Sequence, residues 1–147
     1  RPQTGEPPEP PAVGHTWAHD AATPLDLVVL SELDGTVLAS ASDRLVASPG
    51  GLVAMKATTV TLRASSKPEK RASDLYDLGR LLSSTDGWAA ELDSAPAPLL
   101  DAVRARVRQW FLDPAGVDRT FRDTRRFDEV RLDLDDVADA VSEAWPN

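Results

Sequence analysis

No cysteine occurs among the 147 residues, which excludes disulfides, thiolate catalysis and cysteine-based zinc sites and suits a cytosolic protein. Aromatics are sparse at 5%, and hydrophobic residues, at 41%, are a little low. A chain of this length can still bury about two-thirds of its extended surface, so one modest domain is expected. No run approaches the ~18 apolar residues of a membrane-crossing helix. The opening RPQTGEPPEPP has none of the apolar stretch that a secretory signal carries. Gly-rich phosphate loops, GxSxG elbows and HExxH pairs are all missing. Positive charge is short as well: 16 Lys and Arg stand against 24 Asp and Glu, a net −8. That balance argues against a general nucleic-acid coat protein but leaves room for a local basic groove. An initiator Met is also lacking, so the expectation is a piece of a longer protein.

What is present reads as an α+β chain. Five of the 12 prolines fall in the first 11 residues, and residues 1–14 read as an extended or disordered lead-in. A β piece over 15–48 and a helical part over 49–147 follow in one unit. PLDLVVL (24–30) is a short apolar run rich in branched side chains, and reads as a buried strand. Asp34-Gly35 marks a turn, TVLAS (36–40) its antiparallel return, and 44–47 a further short strand. Ser48-Pro49 is a helix-start signature, with the helix running to about Ala64. Pro68 then reads as a breaker in a polar linker. About five helices are expected in all: 50–64, 72–83, 98–112, 116–128 and 134–145, the last with Leu134, Val137, Val141 and Trp145 at helical spacing.

The candidate chemistry lies in a few charged residues. Lys56 and Arg63 are seven apart, two helical turns, and so project from nearly the same face with Val60 between them. Two cations on an apolar-flanked helix are costly to bury unless they meet an anion, a phosphate or a carboxylate; the alternative is a solvated pair beside a core face. Asp74 and Asp77 are three apart and neighbours on the next helix, with Arg80 placed to pair with Asp77 or, less directly, Tyr76. Asp74 also sits in a first turn, where the helix dipole alone favours an anion. Asp26 stands inside the apolar strand. There it is either a metal ligand of the kind that two-metal phosphoryl transferases mount on strands, or a carboxylate on a wet edge. His15 and His19, at i, i+4, would suit a metal only on a helix with a third ligand, and their flanks read as loop. The arginines of 104–126 offer either a basic groove or, for 119–126, internal pairing with the acidic 128–143 segment.

Taken in order, LVAMKATTVTLR followed by KRASDLYDL resembles the AbiEii/AbiGii-type nucleotidyltransferases, toxins of bacterial toxin–antitoxin pairs within the DNA-polymerase-β-like superfamily. The likeness covers about residues 15–83. It sets Lys56 and Arg63 at the cations of a K-x-x-A-L-x-x-R motif, with Thr59 and Val60 in place of Ala and Leu. It sets Asp74 and Asp77 at a D-x-x-D-L motif and aligns Asp26 with a strand carboxylate. The resemblance implies transfer of a nucleoside monophosphate from an NTP, with Mg²⁺, to an acceptor that in some relatives is tRNA. Lys56 and Asp74 would be catalytic, Arg63 and Asp77 would bind substrate, and Asp26 would hold metal. It further implies a cytoplasmic protein with a cognate antitoxin, and a fold in which the β-hairpin is the remnant of a nucleotidyltransferase sheet. The family's Gly-Ser turn and its Arg-x-Thr-x-Asp-x-Asp strand are absent from these residues, so the metal-binding side is expected N-terminal to them and the chain alone is expected to be inactive. The competing expectation is a non-catalytic helical interaction module or an antitoxin-like partner, using the Leu and Trp faces of 98–145.

Overall fold

In a computed structural model, residues 9–61, 67–127 and 130–146 are described. They form seven helices and one two-stranded antiparallel sheet, which makes the chain α+β. Helices α1 (Pro10–Asp20), α2 (Pro49–Val60), α3 (Pro68–Ser84), α4 (Trp88–Leu92), α5 (Ala97–Phe111), α6 (Pro114–Thr124) and α7 (Leu134–Ala144) build the body. Strands β1 (Thr23–Leu30) and β2 (Val37–Val46) form a hairpin between α1 and α2. Among the described residues no helix is long and apolar enough to cross a membrane.

Proline sets where the helices begin. It occupies the first turn of α1, α2, α3, α5 and α6, where a missing N–H is no loss and the fixed φ already suits a helix. Pro68 therefore starts α3 rather than breaking the chain, and Pro114 both follows α5 and opens α6. The same rule corrects the reading of the N-terminal region. Residues 10–20 are helical, not a loop or an extended lead-in, because Pro10 and Pro11 sit in the first turn while Val13, Trp17 and Ala18 pack toward α2 and the core.

α2 is the centre of the body, packed by α1, α3, α4 and α5. Val53, Ala54, Ala57 and Val60 are fully buried on it, and its first turn is closed twice. Ser48 Oγ accepts the Gly51 N–H at 3.2 Å, and Glu91 of α4 reaches across to accept the Gly50 N–H at 2.6 Å, a carboxylate at the positive end of the helix dipole. α3 lays Leu75, Leu78 and Leu82 against this core, each burial contributing about 2 kcal/mol. α5 adds Leu99, Val103, Val107, Trp110 and Phe111. α7 closes the bundle with Val137 and Val141, and Trp145 beyond its end meets Trp88 edge-on at 5.0 Å. The short α4, which sequence periodicity did not suggest, exists to bring Trp88, Leu92 and Glu91 onto α2.

The hairpin departs most from expectation. β2 is one ten-residue strand instead of two short ones, and β1 is exposed along its whole length rather than buried. Leu25, Leu27, Val28, Val29 and Leu30 are each about half exposed, since the two strands pack chiefly on one another. An apolar run reports a strand whose faces suit burial; it does not report whether a layer is there to cover them. The turn follows the sequence closely. Gly35 takes φ +69°, and Asp34 Oδ1 accepts both the N–H and the hydroxyl of Thr36, at 3.1 and 2.8 Å.

α6 seats on the end of α5 through Gly116, where any Cβ would overlap the Gln109 carbonyl oxygen. Helix propensity alone predicts that Gly116→Ala stabilises by about 1 kcal/mol; the overlap predicts the reverse, a loss of about 2 kcal/mol or more. Urea unfolding decides between them: a midpoint equal to or above wild type would mean that α6 is not seated as described.

Candidate functional site

Lys56 leaves the buried helix α2 at the one place where α3 offers it carboxylates. Its Nζ donates to Asp74 Oδ1 at 2.9 Å and to Asp77 Oδ2 at 2.8 Å. The i, i+3 spacing on α3 puts both acids on the side facing α2. The two partners differ sharply in environment: the Asp74 side chain is 6% exposed, that of Asp77 46%, and that of Lys56 itself 30%. Asp74 also has a further interaction. It is the anchoring acid, held inside, while Asp77 and the ammonium reach the surface.

Partial burial pulls the Lys56 pKa down, but the hydrogen bonds it donates to Asp77 and Asp74, and then their charges, more than offset it, so the net shift is upward from 10.5. The ammonium is therefore a permanent charge at neutral pH, fixed in direction by two acceptors.

The cluster opens into a cleft of about 410 Å³ lined by Leu52, Lys56, Asp77, Arg80, Leu81, Ser84 and Thr85. Arg80 was read as a partner for Asp77 or Tyr76, but neither pairing forms. Asp77 goes to Lys56, and the Tyr76 hydroxyl donates to the Val130 carbonyl at 2.7 Å with its ring 4.7 Å from Phe127. Arg80 is left exposed on the rim of the cleft. Its place one turn beyond Asp77 on α3 was the signal that pointed there.

The other residues singled out in the sequence lie elsewhere. Asp26 is on the hairpin, exposed, and not among the residues lining the Lys56 cleft. Its Oδ1 accepts the Asp43 N–H at 3.1 Å, across the register shift between Leu25 and Leu27, where Asp43 takes φ +53°. A carboxylate in an apolar strand is thus accounted for by the bulge it pins. Arg63 lies outside the described residues. His15 and His19 are on α1, both exposed, with His19 beside Asp20. Among the described residues no three His, Asp or Glu side chains gather as metal ligands. Asp74 and Asp77 are already bridged by an ammonium, which would repel a divalent cation placed between them. The described residues therefore do not by themselves make a Mg²⁺ site.

The contrast in burial yields two predictions. In double-mutant cycles with Lys56→Met, the coupling to Asp74→Asn should be about 2 kcal/mol, as for a pair with one desolvated partner. The coupling to Asp77→Asn should stay under about 1 kcal/mol. Equal couplings would mean that the two acids hold Lys56 in the same way. Because the folded pKa of Lys56 is raised, its stabilisation is fully present below the ordinary value of 10.5 and is lost as pH rises through the higher folded value. On the alkaline side, wild type should therefore lose stability relative to Lys56→Met above 10.5 and not below it; a gap closing near neutral pH would contradict the ion-pair account.

No family model, no curated protein and no solved structure matches the chain; the chemistry of the Lys56 cleft rests on its own residues.

Proposed function

We propose that the chain is the C-terminal part of an AbiEii/AbiGii-type nucleotidyltransferase, a cytoplasmic toxin that transfers a nucleoside monophosphate from an NTP to an acceptor such as tRNA. The observation that carries this reading is the Lys56 ammonium held between Asp74 and Asp77 at the edge of an open cleft. In such a transfer an acceptor oxygen attacks the α-phosphorus, the bond to the bridging oxygen of the β-phosphate breaks, and pyrophosphate leaves as the acceptor hydroxyl gives up its proton. Lys56 supplies a preorganised positive charge where negative charge develops. Asp74, buried, acts as a positioning residue that aims Lys56. Asp77, half exposed, faces the side from which substrate comes.

Charge counting sharpens the proposal. One ammonium between two carboxylates carries a net −1, and Arg80 on the rim brings the cleft only to neutrality. A triphosphate therefore needs further cations. In this reading Arg63 supplies one, and Mg²⁺ with carboxylates from outside the described residues supplies the rest. The hairpin fits the same picture: two open edges and two apolar faces are what one piece of a larger nucleotidyltransferase sheet would present.

Those exposed apolar faces also favour the second reading, a non-catalytic interaction module or antitoxin-like partner in which Lys56 is only structural. Titration of the chain with each NTP and Mg²⁺, followed by NMR, separates the two. Nucleotidyl transfer predicts perturbations at Leu52, Lys56, Asp77 and Arg80 that vanish in Lys56→Ala; silence at these positions with every NTP would sink it. Label transfer to RNA by residues 1–147 alone should stay at background. Transfer by the isolated chain that Lys56→Ala abolishes would keep the site and overturn the idea that its metal-binding side lies elsewhere.

A further inference from the structure

A second charged pocket lies where α3 meets α6. It has a volume of about 360 Å³ and is lined by Arg71, Ala115, Arg119, Arg122 and Asp123. Three guanidiniums against one carboxylate leave it at +2 in a chain whose overall charge is −8. Arg71 is 6% exposed, and its Nε is fixed on Asp123 Oδ2 at 2.8 Å, so one cation of the pocket is rigid. Arg119 and Arg122 are exposed. They stand at i, i+3 on α6, neighbours on one face, where like charges repel.

Among the described residues internal pairing does not relieve that repulsion. The sequence predicts pairing of the arginines of 119–126 with the acidic 128–143 segment, yet among the described residues, which leave out Asp128 and Glu129, Arg119 and Arg122 make no ion pair. Arg122 Nε donates only to the Asp118 carbonyl, at 3.2 Å. The surroundings add charge of the same sign: Lys67 and Lys70 are exposed at the start of α3, with Glu69 between them in opposition.

We propose that this pocket binds closely spaced phosphate groups, either a polyphosphate or successive phosphates of an RNA strand. The guanidinium fork matches phosphate oxygens two at a time. A largely buried Arg71 held by Asp123 and flanked by two exposed arginines gives one preorganised donor set and two that solvent leaves accessible. Against a net charge of −8, a pocket carrying +2 is a local attraction for polyanions. The site is separate from the Lys56 cleft and does not require that cleft to be catalytic.

The test uses residues 1–147 with two probes, inorganic pyrophosphate and a short single-stranded RNA, at low salt. NMR shifts on binding should centre on Ala115, Arg119 and Arg122. Arg119→Glu/Arg122→Glu should weaken binding by at least about tenfold and, for RNA, flatten the dependence of log K on log salt by about 1.4, the loss of two strand-phosphate contacts. Arg44→Glu, on the exposed hairpin, should bind as wild type, and shifts at Ala115, Arg119 and Arg122 rather than at Leu52, Asp77 and Arg80 keep failure of this pocket distinguishable from failure of the nucleotidyltransferase reading. Tighter binding of RNA than of pyrophosphate identifies a strand as the ligand; the opposite order identifies a polyphosphate. If neither probe binds at millimolar concentration, if the shifts map elsewhere, or if the double variant binds as tightly as wild type, the proposal is wrong.

Discussion

Helix α2 is packed by four other helices, and yet it carries a lysine. The four-sided packing is possible because the helix is built from small residues at the contacts: Gly50 against Glu91 and Trp88, Gly51 against Ala18, Ala54 against Gly14. The lysine can be there only because α3 brings two carboxylates to it. A charge on a buried helix demands a partner at a defined place, so the Lys56–Asp74 contact constrains how α3 is rotated and slid along α2. Once α3 is set, Arg71 is brought to Asp123 of α6, and Tyr76, on another side of the helix, to Phe127 and Val130. One polar contact thus organises the apolar packing on both sides of it.

The same contact explains why the site is open as well as ordered. If both acids were buried like Asp74, the ammonium would be sealed inside and of structural value only. If both were as wet as Asp77, solvent screening would leave its direction loosely held. One partner inside and one outside gives a charge that is aimed and still reachable, the arrangement preorganised electrostatics requires. Ser84 and Thr85, where α3 ends, finish the cleft with neutral hydroxyls, so its polarity comes mainly from Lys56, Asp77 and Arg80.

The helical body was legible in the sequence wherever a helix has one buried stripe. α3, α5 and α7 announce themselves through Leu75, Leu78 and Leu82, through Leu99, Val103 and Val107, and through Val137 and Val141. The meeting of Lys56 with Asp74 and Asp77 was legible too, since the i, i+3 acids follow the cation after a short connection. α1 was not, because its Pro-rich start resembles an extended segment and its packing relies on Gly14 and Ala18, which carry almost no hydrophobic signal. α4 is a single turn, too short to show a period. The exposure of β1 could not be read at all. Burial is a property of what lies opposite a strand, and LVVL reads the same with or without a covering layer. Asp26 is the converse case: its place in an apolar run left a metal ligand and a carboxylate on a wet edge both open, and a backbone N–H at a bulge is sufficient reason for a carboxylate there.

Two surfaces remain that the body does not use for its own stability, and they differ in kind. The hairpin carries branched apolar side chains on both faces while packing chiefly on itself. A two-stranded ribbon of this sort gains little stability alone in water, so its sequence is better suited to a covered setting than to the exposed one it occupies. The α3–α6 pocket is the electrostatic counterpart: among the described residues Arg119 and Arg122 stand side by side without pairing to an acid, although Asp135, Asp136 and Asp139 are carried on the next helix. Had the arginines of α6 served only to hold the bundle together, pairing with those acids would have been the simplest use of them. The latch between α3 and α6 is instead made by Arg71 with Asp123, a pair in which α6 contributes the acid and not the base. Holding the helices together therefore leaves the exposed arginines of α6 uncommitted, and it is their charge, not the chain's average, that decides what this face can meet.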